Sequence, residues 1–120
     1  MTSPMTPSPT PEALRTWMQV IALLVEAADR ATYQAATHPA VHSLAVAADG
    51  VAARAISLLP PELDDQLEAL ELGEATARLS VAGLIRAAEA ACRRHPIEQL
   101  PPGACGVIVE LGDLVGQAGS

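Results

Sequence analysis

Three histidines and two cysteines are the side chains in this sequence best suited to hold a metal. His38 and His42 stand four residues apart, and Cys92 and His95 stand three apart. Either interval sets two side chains on one side of a helical turn, and imidazole with thiolate is a ligand set for zinc or copper. In an up-down-up path of three long helices, the end of the first, the start of the second and the end of the third share a pole. His38, His42, Cys92 and His95 then meet there, with Cys105 close by at the start of the last helix. The plainer reading is structural: His38 and His95 each precede a proline, a common loop pair, and Cys92 fits the apolar face of a helix as a small core residue.

No other constellation points to chemistry. Gly103, Gly106, Gly112 and Gly116 do not spell a phosphate loop, and the chain has no lysine to complete one. A Gly-x-Ser-x-Gly turn is missing, and the carboxylates are scattered over outer helical faces. No catalytic residues are expected, and no cofactor beyond the transition metal of that alternative.

The elements that would position these residues are legible from apolar spacing. Leu14, Trp17, Ile21, Leu24, Ala28, Ala31 and Ala35 recur at steps of three and four, predicting a helix over residues 11–36. Thr10 is placed to cap it, Pro11 to open it, and Glu12 to meet its positive end. Thr37-His38-Pro39 breaks it. Val41, Leu44, Ala48, Val51, Ala55 and Leu58 predict a second helix over 39–59, joined by a connection short enough for an antiparallel hairpin. Gly50, in its middle, reads as a close approach to a neighbouring helix. After Pro60-Pro61, Leu63, Leu67 and Leu70, then Ala77, Val81, Leu84, Ala88 and Ala91, predict a third helix over 62–94, kinked at Gly73, with Glu74–Arg78 and Glu89–Arg93 as i,i+4 pairs. The alternative breaks that helix at Gly73. Val107, Ile108, Leu111, Leu114 and Val115 share one face of a fourth, Ala104–Ala118, where Gly112 and Gly116 would allow a close crossing. The expected fold is therefore an all-α antiparallel bundle of about four helices over residues 10–118: two long, one long and kinked, one short and C-terminal. Residues 1–9, rich in Pro, Ser and Thr, are expected to be a disordered tail.

Composition narrows the function. Half of the residues are apolar, many of them alanine, with one Trp, one Tyr and no Phe, which favours closely packed helices over sheets. A net charge of −7 repels phosphate backbones and anionic lipid, so neither nucleic acid nor membrane is an expected partner. Two cysteines make no disulfide framework, residues 1–9 lack the basic and apolar regions of a secretory signal, and residues 20–25 are too short an apolar run to span a bilayer; a cytoplasmic location is expected. The first two helices carry apolar residues beyond their seams. Val20, Leu23 and Val46, with Trp17 as an anchor or else a core residue, are the candidate interface, most simply in a two-fold homodimer. The leading expectation is a non-enzymatic dimeric accessory or regulatory subunit acting through protein–protein contact. A small-ligand or metal-binding bundle using the His/Cys pole is the alternative.

Overall fold

The computed structural model describes residues 9–118, and all regular structure among them is helical. The elements are α1 (Pro11–Ala35), α2 (His42–Ser57), α3 (Asp64–Ala69), α4 (Glu74–Ala77), α5 (Val81–Cys92) and α6 (Ala104–Ala118). Short 3₁₀ turns at Pro39–Val41, Pro61–Leu63 and Ile97–Gln99 each begin at or directly after a proline. The expected tail over residues 1–9 lies, apart from Pro9, outside the described residues.

α1 begins as its sequence dictates. Thr10 is extended, its hydroxyl accepts from the Ala13 amide at 3.0 Å, and Pro11 occupies the first turn. The helix is buried on most of its circumference: Trp17, Val20, Ile21, Leu24, Ala27 and Ala31 are sealed from solvent. α2 packs on one side of it and α5 on the other, and α6 closes the ring by touching both α5 and α2. Trp17 fills the centre, fully buried, and its Nε1–H donates to the Ala55 carbonyl at 3.0 Å across the α1–α2 contact. Burying an indole without a partner for its N–H would forfeit much of the gain from its apolar area, so Ala55 fixes where α2 lies along α1. Arg54 and Glu110 tie α2 to α6 through a two-pronged ion pair at the surface.

The long third helix is not formed; residues 62–94 fold as α3, α4 and α5. The first break is at Leu70, whose ψ of 130° is extended; Glu71 and Leu72 belong to no regular element, and Gly73 (ψ 158°) is extended again. The second is at Ser80, also extended, whose hydroxyl accepts from the Gly83 amide at 3.0 Å. Ser80 is thus an N-cap inside what the apolar spacing makes look continuous. The Glu89–Arg93 pair forms at 2.6 Å. Glu74–Arg78 does not, because α4 ends at Ala77 and Arg78 is only its cap.

Gly50 is not a close-contact residue, since a Cβ built on it meets nothing within 4 Å. Gly112 and Gly116 are equally open and support no close crossing. Gly103 is the constrained one: its φ is +95°, and an added Cβ would lie 2.9 Å from Leu58 Cδ2. Gly50→Ala is expected to stabilise the fold by about 0.5–1 kcal/mol, because alanine restricts the unfolded chain and suits a helix interior. Gly103→Ala is expected to destabilise it by about 1–2 kcal/mol through the left-handed backbone. Urea melts of the two variants check both signs.

Candidate functional site

The residues singled out as metal ligands do not converge. His95, half-buried beyond the end of α5, has its Nε2 2.9 Å from the hydroxyl of Thr16, in the second turn of α1. His38 lies past the other end of α1, exposed, its Nδ1 3.1 Å from Thr37 Oγ1; His42 opens α2 beside it, also exposed. The helix between Thr16 and His38 separates the two pairs by roughly 30 Å at 1.5 Å per residue. The shared pole fails because residues 62–80 carry the chain back along α1 before α5 starts. Arg30, in the C-terminal part of α1, bonds the carbonyls of Ala77 and Leu79 just ahead of α5, and α5 ends beside Thr16. Among the described residues no group of three or more His, Cys, Asp or Glu side chains is placed to hold a metal ion.

Cys92 is buried in the core, and burial, aided by the nearby Glu89 carboxylate, pushes its thiol up to about 11. The thiol is therefore neutral and shielded across the ordinary pH range, while Cys105 is exposed on α6. The Thr16–His95 contact pairs a hydroxyl with an imidazole, as a nucleophilic site would. Thr16 is nevertheless buried, and among the described residues no carboxylate or carbonyl holds His95 from its other nitrogen. The pair docks the loop after α5 onto α1.

The candidate interface is mostly internal. Trp17, Val20 and Leu23 are covered by the chain's own helices, so the apolar surplus of α1 is met by α2 on one side and α5 on the other. Val46 stands apart, 59% exposed on α2.

A groove that sequence reasoning did not anticipate lies where residues 64–77 pass over α1. Ile21, Ala22, Val25 and Glu26 form one arc of α1, and Ile56 comes from the last turn of α2. The opposite wall is Leu67 and Glu68 of α3, Leu70, Glu71 and Leu72 after it, and Ala77 at the end of α4. The groove holds about 580 Å³ and is open along one side. Two smaller hollows, of about 160 and 300 Å³, lie elsewhere along α1, the second beside His95. Residues 70–73 are a strap between these hollows and the groove, with Leu70 bordering each of them.

The strap is attached lightly. Leu63, Leu67, Leu70 and Leu72 are half-buried against the core, and Arg30 supplies the polar latch. Its Nε donates to Glu26 at 2.9 Å while its two terminal nitrogens donate to the Leu79 and Ala77 carbonyls. One guanidinium therefore satisfies carbonyls left without helical partners around the end of α4. The remaining charges on the groove, Glu68 and Glu71, are exposed and make no ion pair or hydrogen bond among the described residues. The kink or break expected at Gly73 was its one trace in the sequence, and it does not say where the segment lies.

Comparison with protein-family models, with curated proteins and with solved structures finds no match. Among the described residues no single helix is long and apolar enough to cross a membrane.

Two outcomes follow. Under native conditions at pH 8 a maleimide is expected to modify Cys105 within minutes and to reach Cys92 only on unfolding, as mass spectrometry of quenched samples would show. Arg30→Gln is expected to lower global stability by no more than about 1 kcal/mol, its ion pair being partly exposed, while amide exchange over residues 64–79 accelerates by about tenfold or more.

Proposed function

We propose that this chain is a non-enzymatic helical-bundle protein that holds a segment of a partner protein in the groove between α1, α2 and the strap, and so serves as an accessory or regulatory subunit. The observation that carries this reading is the groove itself: an open, aliphatic trough beside a segment attached by four leucines and one arginine. Preformed troughs of this kind suit a helix laid into them better than a molecule that must be enclosed. The ring of α1, α2, α6 and α5 is read here as an antiparallel four-helix bundle, a rigid platform with the mobile work assigned to residues 64–79 outside it. The chain's half-buried hydroxyl–imidazole pair is assigned a structural role.

A homodimer is no longer needed to cover the seam of α1, because Trp17, Val20 and Leu23 are covered within one chain. Binding of a partner thus rests on the groove and not on the surplus that first suggested self-association.

Val25 is 38% exposed on the groove, so Val25→Lys places a charge there with little cost to the core. Tagged wild-type and V25K chains, recovered from the native host, are expected to differ: a protein retained in stoichiometric amount by the first and lost by the second. Retention unaffected by the substitution, or no retained protein at all, would overturn the reading.

A further inference from the structure

The charges of the groove narrow what it takes. We infer that its occupant is a basic amphipathic α-helix of the partner, its aliphatic face on Val25, Ile56, Leu67 and Leu72 and its lysines or arginines against Glu68 and Glu71. This rests on the groove-binding reading above.

The charged side chains that line the groove are all carboxylates: Glu26, Glu68 and Glu71. Glu26 is paired with Arg30, whose two terminal nitrogens are placed on the Leu79 and Ala77 carbonyls, and no ion pair joins Arg30 to Glu68 or Glu71 among the described residues. Glu68 and Glu71 are left without a counterion on either side of Leu70, at the edge of an aliphatic floor. An anionic occupant would bury like charges against them, and a neutral one would leave them facing partly desolvated space. A cationic one gains both attraction and charge-assisted hydrogen bonds.

The backbone adds to the same sign. Ile56 is in the last turn of α2, Leu70 caps the end of α3, and Ala77 ends α4, so the carbonyl ends of three helices border the groove. The end of α2 carries partial negative charge, while the Ile56 and Ala77 carbonyls are already met, by the Leu59 amide and by Arg30. Arg30 already demonstrates within the chain how a guanidinium is received there. The net charge of −7 extends the attraction beyond contact and speeds encounter with a basic partner.

The shape selects a helix. The groove is open along one side and follows one arc of α1 from Ile21 to Glu26, under two turns. A helix presenting aliphatic residues at i, i+3 or i+4, and i+7 can lay them along that arc while its flanks stay in water and meet the rim. Leu70 and Leu72 already dip from the strap toward the same core, so displacing the strap would lengthen the trough into the neighbouring hollows.

The test uses a fluorescein-labelled peptide of about 14 residues, with leucine at helical a/d spacing and lysine elsewhere. Its counterparts carry glutamate for lysine, or the same leucines and lysines in an order that destroys the periodicity. Anisotropy titrations with the full chain are expected to give micromolar binding of the cationic amphipathic peptide, at least about tenfold weaker binding of both counterparts, and weakening at high salt. E68Q/E71Q is expected to remove most of the preference over the glutamate peptide, and V25K to abolish binding, with circular dichroism melts unchanged. In the wild-type chain the peptide should slow amide exchange over residues 21–26 and 64–77, a readout that needs no variant.

Equal binding of the charge-reversed or permuted peptide would overturn the inference, as would protection elsewhere. So would binding of dodecyltrimethylammonium at the groove with none of the peptide, which would mark a small-molecule site. If the native host yields a partner lost in V25K whose bound segment is acidic or uncharged, the choice of a basic helix fails while groove binding stands. If no partner is retained, both fail.

Discussion

The structure depends on covering one helix. α1 is apolar around most of its circumference, and a helix of that kind is stable only where neighbours exclude water on several sides. α2 and α5 provide this, and Trp17 makes the arrangement specific. Its indole supplies the largest single buried side chain, and its N–H must find an acceptor inside the core. The Ala55 carbonyl, near the end of α2, is that acceptor. Hydrophobic area alone would let the two helices slide past one another; a directional bond in a dry interior does not.

The break-up of residues 62–94 follows from competition between the same forces. Leucines at 63, 67, 70 and 72 are too few and too uneven to bury a full helical face, so backbone preference decides locally. Ser80 offers its hydroxyl to the Gly83 amide and starts a helix there. Upstream, the chain opens at Leu70, leaving a strap whose leucines reach the core while its backbone stays outside. The carbonyls freed around the end of α4 are met by Arg30, which the sequence places on the polar side of α1 with Glu26 as its ordinary helical partner. A surface ion pair thereby became the fastening of a separate segment, and a groove opened beside it.

The candidate sites show what moves when topology changes. His38, His42, Cys92 and His95 were assembled at one pole by an up-down-up path that assumed three long helices. Once α3 and α4 carry the chain back along α1, α5 ends beside Thr16 and the set falls into two distant pairs. In the same way Val20 and Leu23, apolar beyond the seam of α1, suggested a second copy, and α2 and α5 cover them within one chain. The groove has no counterpart in the sequence because its walls come from α1, α2, α3, the strap and α4, and no local pattern joins them.

By itself the sequence determined that the chain is helical and where three of its helices lie. Thr10-Pro11, the proline stops at residues 39 and 60, and apolar steps of three and four act within a few residues, so propensity, capping and periodicity suffice to read them. The tertiary structure alone decided which faces met, whether 62–94 would stay whole, and that Thr16 would find His95 and Arg54 would find Glu110. Those outcomes depend on pairs far apart in the chain, whose contacts exist only once the helices have chosen their directions and their order around the ring.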